Sequence, residues 1–210
     1  MNQFRFIFVG AAGVVCATAF GQAQEIKFTS TNLGMGVAIN YKGKNMNVFA
    51  GLLQFERTKD KVKFLSVCGD LDNMITYGQK YTVAPELSNT LGPNRDAAGR
   101  IVANAFNLVS NNDEATALQV AVWEAVYDAT DNGAAVPDFT KGHFKAQLTN
   151  NVKAKAFAYY NTIEKGGIAT YWNPKPDCAG QGQYTPVPEP ATMIALAAGL
   201  AMAARKRRKS

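Results

Sequence analysis

The sequence predicts an α+β fold: a β-rich sheet or barrel-like sandwich with an inserted helical subdomain of about three helices. Two-residue alternation of apolar and polar side chains runs through residues 25–67. Apolar residues then recur at helical spacing from Ala98 to Ile163. An apolar, aromatic run, Ile168 to Trp172, then returns to strand character. Strands, then helices, then a strand is the order of an α+β domain with its helices inserted late.

Taken in order, the first strands are expected at Glu25–Thr31, Val37–Tyr41, Met46–Phe55 and Val62–Val67, where β-branched and aromatic residues are enriched. The polar stretches 41–45 and 57–61 read as hairpin connections whose lysines are solvated. Lys80–Val83 is a further short strand. Ala98, Ile101, Val102, Ala105, Phe106 and Val109 then mark one helix after the polar Asn94-Arg95-Asp96. A second helix is expected over 113–130, with Asp113 and Glu114 in its first turn, where carboxylates oppose the helix dipole favourably. Its only charged face is Glu124 and Asp128, read as the wet side. A third helix is expected over 142–164, stopped by Gly166-Gly167. Residues 173–190 are rich in Pro, Gly and Gln and read as a linker.

Composition narrows the function. The chain has 210 residues, 47% hydrophobic, 10% aromatic and 18% charged, which excludes a disordered chain. Its net charge of +6 is confined to the ends. Arg5 and the five basic residues 205–209 take six of the 22 Lys and Arg, leaving as many basic residues as the 16 acidic ones. No basic surface for nucleic acid is implied. One histidine, His143, and three cysteines exclude a His-rich metal site and a disulfide scaffold. A hydrolase pairing Cys68 with His143 is disfavoured, because His143 sits in a polar, exposed context. No metal, cofactor or enzymatic turnover is expected.

The two ends read as addresses. Residues 1–23 carry Arg5, an apolar stretch and the small residues Gly21-Gln22-Ala23, the pattern of a signal peptide. At the other end, Val187-Pro188-Glu189-Pro190 precedes an apolar stretch, 191–204, and then the basic cluster 205–209. Fourteen helical residues reach about 21 Å, short of a hydrocarbon core of roughly 30 Å. A helix held only until a membrane enzyme cuts beside it suits that length. This tripartite tail resembles the PEP-CTERM sorting signal. The resemblance implies processing by an exosortase, transient membrane anchoring by the C-terminal helix, and delivery to the cell surface or the extracellular space of a Gram-negative bacterium that makes exopolysaccharide. The expected division is therefore 1–23 signal peptide, 24–172 body, 173–186 linker and 187–210 sorting signal.

Two features of the body invite chemistry. Gln119 stands four residues from Trp123 on an otherwise apolar helix, so its amide needs a partner. Cys68 ends a buried strand in an exported chain, and three fates are open to it: a disulfide with Cys178, a buried thiol, or reaction with another group. Val67-Cys68-Gly69-Asp70-Leu71 and Leu118-Gln119-Val120-Ala121-Val122-Trp123 together resemble the two motifs of bacterial surface-adhesin thioester domains, with Val67 and Gly69 where that family usually has larger apolar residues. The resemblance implies an internal thioester between Cys68 and Gln119, shielded by Trp123, that bonds to surface amines in adhesion or biofilm. Asp70 and Asp72 cap the turn after Cys68. The alternative is a non-covalent matrix protein, binding extracellular polysaccharide or other partners, with a Cys68–Cys178 disulfide and no thioester.

Overall fold

The computed structural model describes residues 22–129, 136–176 and 180–187. Residues 1–21 of the expected signal peptide (1–23), Cys178, and the chain from Pro188 onward lie outside the described residues.

Seven strands and three α-helices form an α+β domain. The strands are β1 (Gln24–Tyr41), β2 (Lys44–Arg57), β3 (Lys63–Cys68), β4 (Lys80–Leu87), β5 (Phe144–Ala146), β6 (Ala169–Pro174) and β7 (Gln183–Pro186). The helices are α1 (Pro93–Ala105), α2 (Asn112–Asp128) and α3 (Asn150–Tyr160). All pairings are antiparallel, in the order β2-β3-β7-β6-β4-β1-β5, and β1 also pairs with β2. The ladder therefore closes on itself. Ile26 of β1 faces Arg57 of β2 on one side and Tyr81 of β4 on the other, which makes a six-stranded ring with β5 attached to the far end of β1. Closure removes the free edges that would otherwise recruit other strands.

Alternation decides which side chains face inward. In β4, Tyr81, Val83 and Pro85 are buried while their neighbours are half-exposed. Ile26, Phe28, Phe55, Val67, Tyr171 and Tyr184 bring the other strands into the same core. The helices enter between β4 and β6. Of these, α2 is the central one, packed between α1 and α3 and against β1, β2 and β3. Its side chains from Ala115 to Ala125 are all buried. At its start, the Asn111 side chain accepts the Glu114 N–H at 3.0 Å, and the Glu114 carboxylate accepts the Ser110 N–H at 2.9 Å. Two otherwise unpaired donors are satisfied there, as in a capping box.

Four sequence expectations are corrected. The first two expected strands are one, because β1 runs through Leu33–Gly36 with irregularities between Phe28 and Ser30 and between Thr31 and Gly34. The third helix is shorter than 142–164: Phe144 belongs to β5, and the Thr149 hydroxyl caps α3 by accepting from Val152 N. The stretch expected as a linker, 173–186, begins inside β6 and ends in β7, which fills the position between β3 and β6. Glu124 and Asp128 are not a wet face, since both are fully buried. They hold the segment that follows the helix: Asp128 accepts the N–H groups of His143 and Phe144, each at 2.8 Å, and Glu124 accepts that of Asp138 at 2.9 Å.

Candidate functional site

The β2–β3 ladder runs from Glu56↔Lys63 to Leu52↔Val67 and stops one residue short of Cys68. At Gly51, β2 runs tightly against β1, so that a Cβ there would lie 2.2 Å from the Leu33 carbonyl oxygen. The main-chain groups of Cys68 on that side need another partner. Gln119 of α2 supplies it. Its Oε1 accepts from the Cys68 N–H at 2.8 Å and its Nε2 donates to the Cys68 carbonyl at 2.7 Å. The carboxamide thus occupies the place of a missing strand residue, fully buried on the end of β3. Cys68 and Gln119, separated by 51 residues, are brought together.

The chain then turns through Gly69 to Asp72. Gly69 is glycine for space: a Cβ would lie 2.5 Å from the Tyr184 ring and 3.1 Å from that of Tyr171. The Asp70 carboxylate accepts from Asp72 N at 2.7 Å and from the Asn73 amide at 2.8 Å, while Asp72 accepts from Tyr41 and Lys42, both at 2.9 Å. Three further side chains hold the turn, none of them evident in the sequence. The Tyr127 hydroxyl accepts from Leu71 N at 2.7 Å, and the Gln181 amide donates to the carbonyls of Asp70 and Asn73 at 2.8 and 2.9 Å. Tyr81 holds Gln181 in turn by donating to its carbonyl at 2.8 Å. A Tyr four residues after Trp123 was the only available hint of the first; Gln181 arrives from the segment between β6 and β7, and Tyr81 from β4.

Cys68 is a buried free thiol. It donates to the Asp70 carbonyl at 2.8 Å and accepts from the Asp70 N–H at 3.3 Å. Burial pushes it up to about 12, so at neutral pH it is held as the thiol. Trp123 lies one helical turn beyond Gln119, 2% exposed, its ring 5.8 Å from that of Phe144. Its indole N–H is buried and makes no hydrogen bond of ordinary geometry, while its effect on the Cys68 thiol is to favour the thiolate. A cleft of about 220 Å³ opens over Cys68 and Trp123, with Phe49, Leu71, Met74 and Gln181 among its walls. Apart from the thiol, no lining residue among the described ones is ionisable.

His143 stands at the edge of β5, is exposed, and is not among the residues lining this cleft. Among the described residues, no group of three or more His, Cys, Asp or Glu side chains is placed to hold a metal ion. The prospective disulfide partner Cys178 and the residues Pro188, Glu189 and Pro190 lie outside the described residues, and Val187 is the last residue described. Among the described residues no helix is long and apolar enough to cross a membrane.

Comparison with known proteins places one segment. Residues 186–209 match the PEP-CTERM protein-sorting motif. No curated protein and no solved structure matches the chain. The motif supports an exported protein sorted by an exosortase.

Proposed function

We propose that this exported protein attaches covalently to amine-bearing surfaces through an internal thioester between Cys68 and Gln119. The observation that carries the reading is the seating of the Gln119 carboxamide on the main chain of Cys68, through bonds of 2.8 and 2.7 Å. In forming the bond, the Cys68 sulfur adds to Gln119 Cδ, the Cδ–Nε2 bond breaks, and the thiol proton leaves with Nε2 as ammonia. No oxidant or cofactor is needed. The Cys68 N–H already donates to Oε1, the oxygen on which negative charge develops. The chemistry relies on positioning, because a thiol held near 12 is a weak nucleophile until its proton is removed.

Once formed, the thioester is an activated acyl group kept from water by burial. An amine entering over Cys68 bonds to Cδ, the Cδ–Sγ bond breaks, and an amine proton passes to sulfur. The product is an amide to the partner and a restored Cys68 thiol. Gln119 is consumed, so the protein acts once and is not an enzyme. Exosortase processing would place this body outside the cytoplasm, where surface proteins and polysaccharide-associated amines are the available targets.

Intact-mass measurement of the unreduced, exported protein tests the reading. The expected result is a mass lower by one ammonia, a gain of one methylamine on treatment, and loss of both effects in Cys68→Ala and Gln119→Ala. A full mass with an alkylatable Cys68 would overturn it. A mass lower by two hydrogens and restored on reduction would instead indicate the Cys68–Cys178 disulfide of a non-covalent matrix component.

A further inference from the structure

The sequence reading gives Trp123 the passive task of covering the thioester. Its surroundings ask for more. The indole N–H is enclosed at 2% exposure and bonds to nothing, although buried donors are nearly always paired. Trp172, the other tryptophan, follows the rule, donating to the Thr185 hydroxyl at 3.0 Å. An orphaned donor beside a reactive atom is poised for a partner that exists only during the reaction. Trp123 shares the walls of one cleft with Cys68, whose sulfur already accepts the Asp70 N–H at 3.3 Å.

We infer that the indole N–H of Trp123 and the backbone N–H of Asp70 form a pair of donors for the Cys68 sulfur as it leaves Gln119, making Trp123 a catalytic participant in acyl transfer and not only a lid. The inference rests on the thioester reading and adds to it the group that carries the departing charge. When an amine attacks Cδ and the Cδ–Sγ bond breaks, the electron pair of that bond goes to sulfur, before a proton from the amine neutralises it. Among the described residues, no lysine, arginine or histidine lines the cleft to meet this charge. Two fixed dipoles in a water-poor site can do so without reorganising. The thiol hydrogen that now points to the Asp70 carbonyl is absent from the departing sulfur, which, until it is protonated, carries a third lone pair in place of the bond to Cδ.

The two roles predict opposite signs. Trp123→Phe keeps an aromatic lid but removes the N–H. If Trp123 is a donor, the variant still loses ammonia, and its methylamine aminolysis, followed by intact mass, slows roughly 10- to 100-fold. A rate equal to or above that of the unaltered protein, with ammonia lost, overturns the inference and leaves a lid. A second measurement needs no substitution. In the ¹⁵N-labelled protein the Trp123 indole signal should shift on methylamine treatment while that of Trp172 stays in place; an unmoved Trp123 signal overturns the inference. If the unaltered protein loses no ammonia, the thioester reading fails by itself. The donor claim is then read on the free thiol: Trp123→Phe should slow alkylation of Cys68 in mildly alkaline buffer, and an unchanged rate overturns it.

Discussion

Glu124 shows at the scale of one residue how burial rewrites a carboxylate. One oxygen accepts from Asp138 N at 2.9 Å and the other has no partner. Burial first, then the neighbouring charges of Asp128 and Asp138, push its pKa up from 4.5 to about 7. The folded chain therefore holds more protons on Glu124 than the unfolded chain does between pH 4.5 and about 7. Its contribution to stability is full below 4.5, falls as pH rises through that window, and is lost above about 7. The full linkage is on the order of 3 kcal/mol. Glu124→Gln should accordingly raise the melting temperature relative to the unaltered protein above pH 7 and gain least below 4.5, as thermal melts across that range would record. An equal gain at every pH would assign the effect to something other than this ionisation. Gly69 offers a steric counterpart. Gly69→Ala drives a methyl to 2.5 Å from the Tyr184 ring, and overpacking of this kind costs about 1–3 kcal/mol. Denaturant titration measures that loss.

Among the elements, α2 joins structure to chemistry, and its start is the place to separate the two. Asn111→Ala removes the cap on the Glu114 N–H and should cost about 1 kcal/mol in denaturant titrations. Gln119 lies two turns further on and is anchored to β3, so the ammonia loss proposed above should persist in this variant. Its disappearance would show that helix docking, and not only the pair itself, sets the reactive geometry. The elements also show what a sequence discloses. The hairpins around residues 42–43 and 58–61 were legible because turn residues punctuate two-residue alternation. That Gln119 needs a hydrogen-bond partner was legible, since a polar amide on an apolar helix must find one, and it finds the Cys68 main chain. The Leu33-Gly34-Met35-Gly36 stretch was not legible as strand, because Gly34 serves close β1–β2 contact, a Cβ there lying 2.4 Å from the Ala50 carbonyl oxygen, and not pleat propensity. Nor were Glu124 and Asp128 legible as buried. Their partners are backbone N–H groups of residues 138–144, which carry no side-chain signature.

At the scale of the whole molecule, ring closure depends on the ring's shortest strand. Gln183-Tyr184-Thr185-Pro186 reads as linker by composition, yet β7 pairs Tyr184 with both Val67 and Tyr171. Four residues suffice because both neighbours are already in place. The matched sorting motif begins at residue 186, so the address starts where the last strand ends. A cut beyond Val187 leaves the ring whole, and a cut a few residues earlier would open it. A chain of residues 24–187 should therefore melt at the same temperature as the longer chain 24–190, which adds the Pro-Glu-Pro but not the apolar stretch. A chain of 24–182 should lose Tyr184, which is fully buried, and expose the edges of β3 and β6. Deleting a buried aromatic alone costs about 3–5 kcal/mol, a large share of the roughly 5–15 kcal/mol that holds a domain folded. The shorter chain should melt at lower temperature and bind a hydrophobic dye, and because Cys68 ends one of those exposed edges, it should also be alkylated faster. Equal melting of 24–182 and 24–187 would mean that the ring does not need its last strand, and that the body ends before the address begins.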